Sequence, residues 1–368
     1  MAAPNETPIA SIVFPILALG FVVAAPMLGF VAGASTSPVA IALSAAMLAI
    51  MLGAIFAAVH HADVIAHRLG EPFGTLVLTL SVTIIEVALI ESIVLTPNSS
   101  PALARDTVFA VVMIVCNGLV GLCVLAGGLR HHEQEFQVSG AGVYLQLLGA
   151  LSILTLVLPN YTQTVLGPYF SNGQLVFVSI ITVVLYATFL FIQTSRHTEY
   201  FRAGDEIDSH GHHIYPSNKA VVVSAVALLV ALLGVILLAK KFAVLLEVGL
   251  HSVGAPEAVA GIVIAMVVLA PESISAVRAA WDDVLQKSIN LALGSSLATI
   301  GLTIPAVAIT NIALGKQIQI GVTGRDTLLL ALTLFLSVLT FGSGRTNMLA
   351  GLVHLVVFVT FIFLVFVP

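Results

Sequence analysis

PFGTLVLTLSVTIIEVALIESIVL (residues 72–95) and GIVIAMVVLAPESISAV (residues 261–277) are two apolar stretches that each contain a glutamate well away from their ends, Glu86 and Glu272. A charged side chain at the centre of a bilayer costs at least about 2.5 kcal/mol, so such residues are rare and usually mark the path of an ion or proton. The two glutamates lie at corresponding places in the two halves of the chain. This pairing predicts a polar site at membrane depth.

The composition predicts an all-α polytopic membrane protein, whose surroundings are the lipid bilayer. Of 368 residues, 59% are hydrophobic and 8% are charged, whereas a soluble domain carries about a quarter charged residues. The net charge of −5 is small for this length and gives no sign of a nucleic-acid partner. Cys116 and Cys123 share one apolar run, which favours core residues over a disulfide or a metal pair.

Apolar segments of about 20 residues predict eleven spanning helices. They lie near residues 9–33, 38–60, 72–95, 104–128, 142–160, 174–194, 219–239, 254–279, 286–309, 325–342 and 346–367. The first is interpreted as a retained helix and not a signal peptide, because no Lys or Arg precedes it. Residues 240–253, which begin with Lys240 and Lys241, are interpreted as an interfacial segment. With the N-terminus in the cytoplasm, eight Lys and Arg residues lie on the cytoplasmic side of the membrane and five on the opposite side. Because cytoplasmic loops carry an excess of these residues, the count favours a cytoplasmic N-terminus.

The arrangement of the spans predicts two inverted repeats. The polar linker 196–218 separates six spans from five. If residues 1–37 form an additional N-terminal helix, then 38–195 and 219–368 are two five-helix units. An odd number of helices inserts the second copy upside down, which is the plan of many secondary transporters, with the site at the midplane between the repeats.

Local motifs support this symmetry. Gly70-Glu71-Pro72 opens the span with Glu86, and Gly254-Ala255-Pro256-Glu257 opens the span with Glu272. The spans that follow each place small and hydroxyl or amide residues at mid-helix, among them Asn117, Ser295 and Ser296. Small residues let helices approach closely, and Asn and Ser supply neutral oxygen ligands.

The residues around the glutamates predict a hard-cation site. Thr79, Thr83 and Glu86 form one helical stripe. Pro271, next to Glu272, is predicted to break the helix and free carbonyls near residues 267–268, with Ser273 close by. Two carboxylates with neutral oxygens suit Ca²⁺ or a smaller monovalent cation.

The same pair predicts exchange for protons. Without a cation, two neighbouring carboxylates in a low dielectric cannot both stay ionised, so protons and cations compete for the same oxygens. We therefore expect an antiporter and not an enzyme. It is expected to exchange protons by alternating access, for Ca²⁺ in the first place and otherwise for Na⁺ or K⁺. The sequence contains no nucleotide-binding motif, which indicates an ion gradient as the energy source and no cofactor beyond the transported ions.

The segments GEPFGTLVLTLSVTIIEVALIES, FAVVMIVCNGLVGLCVLAGGLR and VLAPESISAVRAAWDDVLQKSINLALGSSLATIGLTIPA resemble the two repeats of the calcium/cation antiporter superfamily. They are most similar to bacterial ChaA-type calcium (sodium, potassium)/proton antiporters. The resemblance implies Glu86 and Glu272 as the cation and proton carboxylates and the bacterial inner membrane as the location. The chain departs from the Gly-Asn-Ala-x-Glu signature of vacuolar exchangers, and this places high-affinity Ca²⁺ selectivity in doubt.

Several residues have two interpretations. A vestibule position is favoured over a transport role for Glu91, and Asp282 and Asp283 either attract cations at the cytoplasmic mouth or cap the next helix. Helix packing and cation ligation are equally favoured for Asn117, Ser295 and Ser296. His354 is interpreted as packed and hydrogen-bonded. The linker histidines around His210 favour a solvated loop over a metal site or pH sensor.

Other classes of transporter are less well supported. An acidic pair also suits a channel, but channels usually build such rings by symmetry between subunits. A sodium-coupled symporter of a small organic solute requires groups for that solute, and every Lys and Arg is placed at a span end or in a loop. A sodium-coupled cation exchanger is the nearest alternative to proton exchange.

Overall fold

The computed structural model describes residues 8–27, 29–30, 32–33, 37–70, 73–95, 100–202 and 216–367. Within these residues, eleven helices are long and apolar enough to cross a membrane. This confirms the prediction of an all-α polytopic membrane protein. Most of the histidine-rich part of the predicted linker, and Glu71-Pro72 of the first repeat motif, lie outside the described residues.

The helices follow the order predicted from the sequence. They are α1 (Ile9–Met27), α2 (Pro38–Leu69), α3 (Phe73–Val94), α4 (Leu103–His131), α5 (Val138–Tyr161), α6 (Asn172–Arg196), α7 (Asn218–Ser252), α8 (Ala258–Trp281), α9 (Leu285–Leu314), α10 (Gly324–Phe341) and α11 (Met348–Phe366). A short antiparallel ribbon joins β1 (Glu133–Glu135) to β2 (Arg345–Asn347).

Polar residues fix where several helices begin. At the start of α2, the Ser37 side chain accepts a hydrogen bond from the Ala40 backbone N–H. At the start of α7, Ser217 accepts one from the Ala220 backbone N–H. Ser171 and Gln174 form a reciprocal capping box at the start of α6. These side chains satisfy N–H groups that have no partner inside the helix.

Two helices continue well beyond the C-terminal ends that the hydropathy pattern predicted. α2 continues from residue 60 to Leu69 and ends at Gly70, whose φ is 66°. α7 continues through Lys240 and Lys241 to Ser252, so the interfacial interpretation of residues 240–253 is wrong. Lysine is a good helix former and extends its charged end away from an apolar surface, so it does not interrupt a helix.

Four helices contain a π-helical turn. These turns span Ile114–Leu119 in α4, Ile153–Val157 in α5, Ile192–Arg196 in α6 and Thr299–Thr303 in α9. A π turn inserts an additional residue and is common at functional sites. The turns in α4 and α9 fall in the third span of each predicted repeat.

The chain forms two compact units. In the first, α2 packs against α1, α3 and α7. His61 of α2 is fully buried there. Its Nε2 lies 3.0 Å from the Ser11 carbonyl oxygen, and its Nδ1 lies 3.1 Å from Ser224 Oγ. His61 therefore joins α1 and α7 to α2, and both of its ring nitrogens are occupied.

The second unit contains α4–α6 and α8–α11. Its central helix is α4, which packs against α8 and α11. After α6, Phe201 is buried against Tyr144 and Phe189, and its carbonyl accepts a hydrogen bond from Asn290 Nδ2. Each predicted repeat contributes helices to both units, so the repeats and the packing units are different divisions of the chain.

Glycines allow α4 and α11 to approach closely. A Cβ atom on Gly351 of α11 would lie 2.6 Å from the Leu125 backbone nitrogen and 2.8 Å from the Gly121 carbonyl oxygen. Backbone atoms cannot move aside as a flexible side chain can, so a larger residue forces the helices apart.

We expect Gly351→Ala to lower the free energy of unfolding by about 1–3 kcal/mol through overpacking. Gly149→Ala in α5 is the matched control, because no heavy atom lies within 4 Å of the added Cβ. There alanine should be neutral or stabilising by up to about 1 kcal/mol. Thermal melting in detergent measures the stability of both variants. Equal melting temperatures for the two would contradict the packing argument.

Candidate cation-binding site

Glu272 of α8 is a buried carboxylate that is not fully satisfied by the protein. The residue is 7% exposed. Ser295 of α9 hydrogen-bonds with the carboxylate. The second oxygen, Oε2, has no hydrogen-bond partner among the described residues, and none of these residues forms an ion pair with it. Its unused oxygen can therefore accept a proton or a cation.

Besides Ser295, α9 carries further buried hydroxyl groups. Ser296 is fully buried, and its Oγ has no partner within the described part of the chain. Ser288 donates a 2.6 Å hydrogen bond to the Ala276 carbonyl of α8, which holds the two helices together. Thr299 donates to the Ser295 carbonyl at the beginning of the π turn. The structure thus brings the predicted residues Glu272 and Ser295 together, on helices that pack side by side.

Pro271 does not break α8. The residue is buried inside a helix that runs without interruption from Ala258 to Trp281. The predicted break is therefore wrong, because neighbouring helices hold α8 on both sides of the proline. The missing proline N–H still leaves the Val267 carbonyl without its usual helical partner. Ser273, the other predicted ligand on this helix, is half-buried.

The predicted ligands Glu86 and Thr83 lie on α3, in the first unit. They are 3% and 4% exposed. The Thr83 hydroxyl donates a 2.8 Å hydrogen bond to the Thr79 backbone carbonyl. This bond uses the hydroxyl hydrogen and leaves oxygen lone pairs for another partner. Glu91 is half-buried on the same helix.

Asn117 lies in the π turn of α4, and both ends of its amide are occupied. Nδ2 donates to Thr333 Oγ1 of α10 at 2.8 Å, and Oδ1 lies 3.2 Å from His354 Nδ1 of α11. The prediction that His354 is packed and hydrogen-bonded is confirmed. Asn117 thus contributes to helix packing, while its role as a ligand stays a prediction.

The C-terminal end of α8 corrects one interpretation of the paired aspartates. Asp283 accepts a 2.9 Å hydrogen bond from Gln134 of β1, and Asp282 lies 3.4 Å from Arg130. The residue before α9 is Val284, and no side chain caps that helix. Neither aspartate caps α9, because Asp283, with φ at 64°, directs its carboxylate to β1.

Tyr186 of α6 is a site residue that the sequence analysis missed. It is buried and lies close enough to Glu272 for the two to interact electrostatically. A Cβ atom on Gly301, in the π turn of α9, would lie 2.9 Å from the Tyr186 Cβ. The glycine therefore makes room for the tyrosine. A single phenol in the middle of an apolar span was the available sequence signal.

Acidic and histidine side chains do not by themselves form a metal centre in the described residues. No group of three or more His, Cys, Asp or Glu side chains there is arranged to hold a metal ion. Cys116 and Cys123 are buried and free, which confirms that they are core residues. A cation bound near Glu272 would therefore need neutral oxygens from serine, amide or backbone groups.

The fold and the buried carboxylates define a polytopic membrane protein with a polar site at depth. The sequence profile of the sodium/calcium exchanger protein family matches residues 39–195 and 223–367, and the chain belongs to this family. The resemblance to the calcium/cation antiporters is thereby confirmed.

Two bacterial relatives are similar over most of their length. A protein of Sinorhizobium fredii named putative ionic transporter y4hA is 46% identical over 318 residues, which cover 86% of each chain. The sodium-potassium/proton antiporter ChaA of Escherichia coli is 38% identical over 360 residues, covering 97% of this chain and 96% of the relative.

Solved structures share the fold at low sequence identity. The Ca²⁺/H⁺ antiporter protein YfkE is 18% identical, with a TM-score of 0.72 over 97% of this chain and 99% of that one. The H⁺/Ca²⁺ exchanger CAX is 13% identical, with a TM-score of 0.70 over 96% and 87%. These two comparisons establish the fold alone.

We expect Glu272→Gln to leave the melting temperature in cation-free detergent unchanged or higher, because it replaces a buried, partly unsatisfied carboxylate with a neutral group of the same shape. Added cation should then stabilise the wild-type chain and not the variant, since a ligand stabilises only the state that binds it. Glu257→Gln, at an exposed position before α8, is the matched control. Equal cation-induced shifts in wild type and Glu272→Gln would contradict this assignment.

Proposed function

We propose that this chain is a secondary active transporter that exchanges a cation for protons. The observation that carries the proposal is Glu272, a buried carboxylate with a serine donor on one oxygen and no described partner on the other. A group in this state is costly at membrane depth unless it binds a proton or a cation.

Competition for the carboxylates explains coupling. A proton on Glu272 removes its charge, and a bound cation neutralises the same oxygens, so one replaces the other. Glu86 occupies the equivalent position in the first predicted repeat and is equally buried. We assign both glutamates to the exchange of cation for protons. Each carboxylate binds a proton in one state of the transport cycle and the cation in the other.

Alternating access is favoured by the predicted repeat structure. The two segments that match the family, 39–195 and 223–367, have almost the same bounds as the two predicted repeats. The third span of each repeat carries a π turn. Inverted repeats let a transporter expose a midplane site to one side and then to the other.

The cation is best assigned as Na⁺ or K⁺, ahead of Ca²⁺. The sequence analysis placed Ca²⁺ first, but the Escherichia coli relative, matched over nearly the whole chain, is named a sodium-potassium/proton antiporter. The relative from Synechocystis named a Ca²⁺/H⁺ antiporter is 23% identical over 64% of this chain. Ca²⁺ takes six to eight oxygen ligands, and the few neutral oxygens beside Glu272 suit a less demanding cation.

We expect Na⁺ or K⁺ to dissipate a preformed pH gradient in proteoliposomes that contain the purified chain. Each cation, including Ca²⁺, is titrated separately, and the pH change is followed with an internal fluorescent indicator. Glu86→Gln and Glu272→Gln should each lower the initial rate by at least about a hundredfold, because the variant side chain cannot carry a proton or neutralise a cation. Glu257→Gln should keep the wild-type rate.

Each alternative gives a different result in the same assay. Retained proton-coupled transport in both glutamine variants contradicts the assigned mechanism. Cation flux that depends on an opposing sodium gradient and leaves the internal pH unchanged indicates a sodium-coupled exchanger. A response to Ca²⁺ alone overturns the order of cations and keeps proton exchange.

A further inference from the structure

The last helix, α11, lies unusually close to the π turn of α4. A Cβ atom on Gly121 would lie 2.9 Å from Leu355 Cγ and 3.1 Å from the Gly351 carbonyl oxygen, and one on Gly118 would lie 3.4 Å from the Phe358 ring. Glycines on both helices thus remove the side chains that would keep the backbones apart. This contact places a polar residue of α11 directly beside α4.

That residue is His354, which is fully buried. Its Nδ1 lies 3.2 Å from Asn117 Oδ1, and its Nε2 lies 3.0 Å from Thr340 Oγ1. The ring also hydrogen-bonds with the backbone carbonyl of Cys116, the residue before Asn117. His354 thus contacts both the side chain and the backbone of the π turn.

One arrangement of the hydrogen atoms satisfies Thr333, Asn117, His354 and Thr340 together. The Thr333 hydroxyl donates to the Leu329 carbonyl at 2.7 Å, so it accepts from Asn117 Nδ2. The Asn117 oxygen therefore faces His354, and the imidazole donates from Nδ1. Nε2 then accepts from the Thr340 hydroxyl, which leaves the ring neutral with its hydrogen on Nδ1. The network fixes the orientation of the Asn117 amide.

The π turn that carries Asn117 also contacts the candidate site. Residues Ile114–Leu119 pack against α8 and α9, the helices of Glu272, Ser295 and Ser296. A π turn changes the hydrogen-bond pattern of the helix, and a side-chain donor to a carbonyl within it, such as His354, stabilises that geometry.

We infer that His354 is a positioning residue for cation binding. It acts through Asn117, whose carboxamide is fixed between Thr333 of α10 and His354 of α11, and so holds the π turn in place against α8 and α9. The inference rests on the proposed function and on the packing of the π turn against the helices that carry Glu272 and Ser295. A purely structural role for His354 would affect the amount of folded protein and leave the apparent affinity for the cation unchanged.

The test measures the cation dependence of exchange in proteoliposomes for His354→Leu, His354→Gln, Asn117→Ala and the double variant His354→Leu with Asn117→Ala. We expect His354→Leu to raise the KM for the cation about tenfold, with a smaller change in Vmax, because a buried amide loses its fixed partner. His354→Gln, which retains a donor, should recover most of the affinity. In the Asn117→Ala background, His354→Leu should change the KM by less than about twofold.

The matched control is Thr360→Val on the same helix, where the exposed hydroxyl donates only to the Val356 carbonyl. It should leave KM and Vmax unchanged. Thr340→Val provides a milder perturbation that keeps the histidine, and it should shift the KM in the same direction as His354→Leu. If His354→Leu fails to insert, Thr340→Val and His354→Gln decide the comparison, each alone and in the Asn117→Ala background.

Failure of this inference differs from failure of the proposed function. Multiplicative effects of the His354 and Asn117 substitutions on the KM, or losses confined to Vmax, overturn the positioning role. A wild-type chain that exchanges no cation contradicts the proposed function and overturns the positioning role with it. Melting temperatures of the same four variants then still test the contact itself, because coupled substitutions shift them less than the sum of the single effects.

Discussion

The lack of water in the hydrocarbon core is the constraint on which the rest of the structure depends. There, a polar group has to find its partner within the protein, because an unsatisfied one costs several kcal/mol. Hydroxyls such as those of Thr107 and Thr155 donate to carbonyls one turn earlier in their own helices. His61 and His354 instead join separate helices, with both ring nitrogens occupied.

Against this background, Glu272 and Ser296 are two of several exceptions, which also include Ser152, Thr303 and Ser337. Each is buried and has a polar atom without a partner in the described part of the chain. A buried polar atom without a partner needs an explanation, and a ligand that completes its bonding is one. The proposed exchange assigns that ligand to a proton in one state and to a cation in the other, which gives the unsatisfied oxygen a function.

The sequence predicted the number and order of the helices, and hydropathy was sufficient because each span is apolar both where it is buried in the protein and where it is exposed. It was less accurate at helix ends. α2 and α7 continue beyond their apolar segments, since helical hydrogen bonding extends through His60, His61 and the lysine pair at 240–241 without needing lipid around them. Pro271 is similar, because the packing around α8 outweighs the local preference for a break.

What the sequence alone determined about this protein is its environment, its helices, its family and the two glutamates in apolar spans, because each is a local property of composition or motif. Tertiary structure decided the partners of those helices. Asn117 and His354 are 237 residues apart in the chain and hydrogen-bonded in the fold. Tyr186, on a different helix, lies close enough to Glu272 for an electrostatic interaction. Such pairs depend on which helix faces are in contact, and no local pattern in one helix specifies the face of another.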